Sequence, residues 1–149
     1  MSDAVYSISP TGEQFEIPGP EEYKKEFARL KRLAKRERDK DREIVVVVGV
    51  GFVGAVMAAV VADSTDKKGK PTKFVIGMQR PSTRSYWKIP LLNRGESPVK
   101  AEDPTVDPLI ARCVTEKQTL TATYNSDCLG LADVVVVDIE SQEGLFGAR

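Results

Sequence analysis

Five consecutive β-branched residues, Ile44-Val45-Val46-Val47-Val48, lead directly into Gly49-Val50-Gly51-Phe52-Val53-Gly54. An unbroken β-branched run of this length reads as a strand buried on both faces, the central position of a parallel sheet. The glycines fit the spacing G-x-G-x-x-G, and Ala55-Val56-Met57-Ala58-Ala59-Val60-Val61-Ala62 continues as a buried helix. Strand, glycine turn and helix thus stand in the order of a βα unit that holds a dinucleotide. In such a unit Gly49 permits the tight turn. Gly51 lets the backbone approach a pyrophosphate, and Gly54 lets the helix pack closely on the sheet. The N–H groups and dipole at the helix start, including the backbone of Phe52 and Val53, then hold the phosphates. The same pattern also suits a glycine turn in an α/β core without a ligand.

The chain has 149 residues, enough for one domain with a real core. Lys+Arg and Asp+Glu are equal at 22 each, so no global charge points to nucleic acid or to an anionic membrane. Histidine is absent, which excludes a Ser-His-Asp triad, a Cys-His pair and a His-ligated metal. Cys113 and Cys128 form neither a C-x-x-C pair nor a disulfide framework; they suit a reducing cytoplasm and read as small apolar core residues. The N-terminus has no basic region followed by an apolar one, and the apolar run 55–62 is too short to span a bilayer, so a cytoplasmic protein is expected.

Residues 1–42 read as an N-terminal arm and a charged amphipathic helix. The first twenty are punctuated by Pro10, Gly12, Pro18, Gly19 and Pro20, with one short extended piece expected at 14–17. Pro20-Glu21-Glu22 then opens a helix, and Tyr23, Phe27, Leu30 and Ala34 give it one apolar face. Its many Lys and Arg residues suit either a phosphate-rich partner or a solvated outer face; the balanced net charge favours the latter. A second strand is expected at 73–78. It ends in Gln79 and Arg80, where a dinucleotide-binding unit normally carries an acid for the adenosine ribose. Gln79 can offer a neutral hydrogen bond there, Arg80 can meet a 2′-phosphate, and both can simply begin a surface loop.

Trp87 reads as a packing residue. A helix is expected over 103–117, capped by Asp103 or Thr105, with Val106, Leu109, Ile110, Cys113 and Val114 on one face. A third strand is expected at 119–124, a short connection at 125–131, and a fourth strand, apolar on both faces, at 133–139. Right-handed crossovers give a parallel sheet in the spatial order third, second, first, fourth.

Several of these segments together resemble the N-terminal NAD-binding domain of the UDP-glucose/GDP-mannose dehydrogenase family. Val48-Gly49-Val50-Gly51-Phe52-Val53-Gly54 is similar to that family's V-G-x-G-[YF]-V-G. Leu92-Asn93-Arg94-Gly95-Glu96-Ser97-Pro98 is similar to its L-N-x-G-x-S-P segment. Leu120-Thr121-Ala122-Thr123 and Ala132-Asp133-Val134-Val135-Val136-Val137 resemble two of its strands. The resemblance covers residues 43–139 and implies an α/β, Rossmann-like parallel sheet with flanking helices, incomplete relative to the full family fold. It implies NAD as cofactor, with NADP open because the ribose acid is missing and Arg80 is adjacent. The cofactor-binding residues it points to are Gly49, Gly51, Phe52, Val53, Gly54, Gln79 and Arg80. Family members oxidise the sugar CH–OH of a nucleotide sugar through a cysteine nucleophile in later regions; neither Cys113 nor Cys128 lies in that motif, so no catalytic residue is carried over.

The pattern departs from the family at Met78-Gln79, at Asp138-Ile139-Glu140 where a V-P-T-P-like turn is usual, and in the tail 140–149. The expectation is therefore the cofactor-binding part of a nucleotide-sugar dehydrogenase, truncated and inactive alone. A nucleotide sugar would engage only with the missing domains. A four-strand half would expose an edge and a face, which makes a homo-oligomer possible. The alternative is a non-catalytic interaction module that keeps the fold without the cofactor site. A 3-hydroxyacid type of dehydrogenase is disfavoured by the 93–98 segment.

Overall fold

The structure is a computed structural model and describes residues 4–98, 100 and 102–138. Ile139 and the expected tail at 140–149 lie outside the described residues. In chain order the strands are β1 (Tyr6–Ile8), β2 (Gln14–Glu16), β3 (Glu43–Val48), β4 (Lys73–Met78), β5 (Leu120–Thr123) and β6 (Val134–Val137). The helices are α1 (Pro20–Arg38), α2 (Phe52–Ala62), α3 (Lys88–Asn93) and α4 (Val106–Ala111). A π-helical turn, Arg112–Glu116, continues α4, and a 3₁₀ helix, Ser126–Leu131, joins β5 to β6.

The main sheet is parallel, in the order β5-β4-β3-β6. This is the expected third, second, first, fourth arrangement, and the chain is an α/β, Rossmann-like domain. Ile44, Val45, Val46 and Val47 of β3 are buried, and their alternation divides the core in two. Val45 and Val47 face a layer made by α2, α3 and α4, with Ala58, Ala59, Ile89, Leu92 and Ile110 packed against them. Ile44 and Val46 face the other way, toward Leu30 and Ala34 of α1, with Phe74, Ile76 and Cys128. Each aliphatic side chain so buried contributes about 1.5–3 kcal/mol relative to exposure.

The second layer revises the expectation of an uncovered sheet face. The β5–β6 crossover is only a single 3₁₀ segment, too short to roof that face, and α1 roofs it instead. Charged groups fix α1 there. Arg29 donates to Thr121 Oγ1 at 3.1 Å and to the Ala122 carbonyl at 3.2 Å, and Thr123 Oγ1 donates to Glu26. Burial pushes the Glu26 carboxyl up, but hydrogen bonds from Arg29 and Thr123 outweigh it and the net displacement is downward. Near the helix end, buried Glu37 accepts from Arg36 and Arg42.

Three expectations change at the periphery. The extended piece at 14–17 is β2, and it pairs with β1, a strand the proline-punctuated arm did not announce. The fourth strand is not covered on both faces: Val134, Val135 and Val137 are 40%, 46% and 61% exposed, so β6 is an open edge. The 103–117 helix divides into α4 and the π turn. Asp103 accepts from the Thr105 N–H and hydroxyl ahead of it.

Asp63, at the C-terminus of α2, accepts from Arg112 at 3.1 Å and from Lys117 Nζ at 2.7 Å, tying that helix to the π turn. The Arg112 and then the Lys117 hydrogen bonds hold its carboxyl at about 2, against an ordinary 3.8. A depressed folded-state value means stability present above 3.8 and lost as pH falls through about 2. Asp63→Asn is expected to cost about 1 kcal/mol near pH 6, a partly exposed pair being screened. In urea melts the wild type's advantage over Asp63→Asn should shrink between pH 4 and pH 2.

Candidate functional site

The glycine turn leaves β3 at the C-terminal edge of the sheet, where open parallel sheets take their ligands. Gly49 has φ 101°, a left-handed conformation that favours glycine over any residue bearing a Cβ. Its N–H donates to the Met78 carbonyl at 2.8 Å, so the turn begins as a continuation of the β3–β4 ladder. Gly51 caps α2 in extended conformation, and no side chain caps that helix start. Its first turn carries no acid, so its dipole end is not met from within the helix. A Cβ on Gly54 would lie 1.9 Å from the Gly49 carbonyl oxygen, which makes glycine necessary where the helix approaches the turn. Gly77 plays a similar part beneath: a Cβ there would lie 2.7 Å from Val50 Cγ1.

A cavity of about 370 Å³ opens on this turn, lined by Val48, Gly49, Gly51, Met78, Gln79, Arg80, Lys88 and Asp138. Four of the residues expected from sequence, Gly49, Gly51, Gln79 and Arg80, therefore meet at one site. Gly54 sits behind it. Val53 is 48% exposed on the second position of α2, and Phe52 contributes its backbone to the helix start. Val48, Met78, Lys88 and Asp138 line the cavity without having been assigned to it from sequence. Only Asp138 carried a signal, as the acid that replaces the usual turn after the fourth strand.

Gln79 is turned inward. Its N–H donates to the Thr123 carbonyl at 3.0 Å, and its Oε1 accepts from the Val50 N–H at 3.1 Å. The side-chain carbonyl thus braces the glycine turn, leaving the amide NH₂ as the group that can face a ribose oxygen. Arg80 is exposed at the cavity mouth. The segment 80–88, which carries the two cations of the cavity lining, Arg80 and Lys88, is pinned by the N-terminal hairpin: buried Ser7 donates to the Thr83 carbonyl at 2.9 Å and accepts from Trp87 N–H at 3.0 Å. Arg94 adds a bidentate pair with Glu13 at 2.8 and 3.0 Å. Lys88 lies 5.9 Å from the Trp87 ring centroid, and the Trp87 indole donates to the Arg84 carbonyl.

The cysteines are core residues. Both are buried; burial pushes Cys113 up and Cys128 up to about 12, which keeps the thiols protonated at neutral pH. No cluster of three or more His, Cys, Asp or Glu suited to a metal ion occurs among the described residues. No helix among them is long and apolar enough to cross a membrane. A larger cavity, about 740 Å³, lies between the β1–β2 turn and α3–α4, with Trp87, Leu91, Pro98 and Pro108 on its walls. It contains neither the glycine turn nor a helix start of useful length.

No protein-family model and no curated protein sequence matches the chain. Among solved structures the chain is similar to an NDP-N-acetyl-D-galactosaminuronic acid dehydrogenase from Methanosarcina mazei Go1, at 32% identity with a TM-score of 0.60. The match covers 75% of this chain and 22% of that protein, so the chain spans under a quarter of its length. The domain is thus a Rossmann-like module similar to part of a nucleotide-sugar dehydrogenase.

Gly54→Ala tests the cradle. The added methyl meets backbone, which cannot swing aside, so α2 must back away from the turn. A loss of about 1–3 kcal/mol, read from the urea midpoint, is expected.

Proposed function

We propose that this chain is the dinucleotide-binding part of a nucleotide-sugar dehydrogenase of the UDP-glucose 6-dehydrogenase kind, with NAD or NADP as the ligand of the glycine turn. The observation that carries the reading is the cradle itself. Gly49 is left-handed, Gly54 is pressed against the Gly49 carbonyl, and α2 begins uncapped at a cavity between two strand ends. A diphosphate suits such a helix start, because backbone N–H groups and the dipole both favour an anion. The similarity to a solved nucleotide-sugar dehydrogenase supports the same reading.

In this reading the bound dinucleotide supplies hydride acceptance, and the residues of this chain bind and orient it. Gly49, Gly51 and Gly54, with the backbone of Phe52 and Val53, take the diphosphate. Gln79 offers its amide NH₂ to the adenosine ribose while its carbonyl holds the turn in shape. Arg80, the exposed cation beside it, is placed to meet a 2′-phosphate. Oxidation of the sugar belongs to polypeptide beyond the matched region, where a nucleotide sugar would also bind. A cytoplasmic location goes with this reading, as does the possibility of self-association along β6.

A second reading, a Rossmann-like interaction module without a cofactor, is favoured by one observation: the Gln79 carbonyl is already spent on Val50 N–H, and no acid replaces it at the ribose position.

Titration calorimetry with NAD, NADP and ADP-ribose separates the two. Saturable binding of at least one is expected, and no binding by any at millimolar concentration removes the cofactor reading. Arg80→Ala is expected to lower the affinity ratio of NADP to NAD about tenfold, the loss of one charge-assisted contact to the extra phosphate. An unchanged ratio would release Arg80 from that role.

A further inference from the structure

Asp138 follows β6 directly, and its N–H donates to the Val48 carbonyl at 2.8 Å, extending the β3–β6 pairing to the edge of the glycine turn. One of its carboxylate oxygens, Oδ2, is closed off from solvent and has no hydrogen-bond partner among the described residues. That oxygen lies 3.1 Å from the point where a Cβ on Gly54 would sit, against the first turn of α2. Asp138 also lines the cavity that holds Gly49, Gly51, Arg80 and Lys88.

A sheltered carboxylate oxygen without a partner is costly unless a nearby positive potential offsets it. The start of α2 supplies one, and neither a side-chain cap nor a first-turn acid within the helix draws on it. Asp138 reaches that helix start from another strand. A diphosphate on the glycine turn would draw on the same positive potential, so two anions have one seat between them.

We infer that Asp138 is a specificity-determining residue of this site: its carboxylate shares the anion seat at the start of α2 and selects against diphosphate-bearing ligands unless it is displaced. This rests on the dinucleotide reading given above. The penalty falls on the diphosphate, not on the nucleoside, because only the phosphates meet the start of α2. It is removed by neutralising the side chain without changing its shape.

The test is calorimetry on the whole chain, wild type against Asp138→Asn, with ADP-ribose and NAD as charged ligands and adenosine as the uncharged comparison. Far-UV circular dichroism melts confirm that the variant is folded. Asp138→Ala serves as a second variant that removes the charge without an amide. The expected result is about tenfold tighter binding of ADP-ribose and NAD by the variants, about 1.4 kcal/mol, with adenosine changed less than twofold. If wild type and variants bind ADP-ribose equally, or the variants bind it more weakly, Asp138 is not a selector and the dinucleotide reading stands. If neither wild type nor variants bind any of the charged ligands at millimolar concentration, both readings fall together.

Discussion

Strand β3 has to be buried on both faces, and the rest of the domain is arranged around that demand. Val45 and Val47 look to one layer, Ile44 and Val46 to the other. The first layer comes from the helices between successive strands, as in any right-handed parallel sheet. The second is short of material, because β5 and β6 are joined by a 3₁₀ segment and not by a full helix. Helix α1 makes good the shortage. Its apolar stripe meets the sheet while Glu26 and Arg29 satisfy polar groups along β5, and Asn125 Nδ2 donates to the Tyr23 carbonyl.

The site is a by-product of how that same strand ends. A run with no polar break delivers Gly49 at the sheet edge beside Met78 on one side and Asp138 on the other. The chain must then reverse into α2 at a separation that excludes a Cβ at Gly54. What distinguishes this site from a plain glycine cradle is the company around it. Gln79 spends its carbonyl on the turn, Arg80 stands on a loop held by Ser7, Lys88 begins α3 at the end of that loop, and an acid arrives from the neighbouring strand. Each of these adjusts the local potential where an anion would rest.

Much of this was legible in the residue pattern. The β-branched runs, the glycine spacing and the small-residue helix gave the strand order and the place of the cavity. Helix α1 was legible from Tyr23, Phe27, Leu30 and Ala34. What was hidden is what depends on register and distant pairing. Three residues are too few for β1 to show a period, and its hold on the structure is the Ser7 hydroxyl, which reaches residues more than seventy positions away. Glu37 sits in a charged run and reads as surface, yet it is fully buried among Arg36, Lys40 and Arg42. The valines of β6 read as core because composition reports apolarity and not the neighbour that would cover it. The inward turn of Gln79 needs the spatial meeting of β4 with the glycine loop.

The position of α1 in the chain has a consequence for biosynthesis. This helix precedes every strand of the sheet it covers, so on the ribosome it is made before there is anything for it to cover. Its contacts with Thr121, Ala122 and Asn125 span about a hundred residues of chain. Leu30 and Ala34 can meet Ile44 and Phe74 once β3 and β4 are made, but the polar ties of α1 to β5 wait until those residues emerge. Folding of this domain is therefore weighted toward late, non-local docking, which slows it relative to domains whose layers close in sequence order.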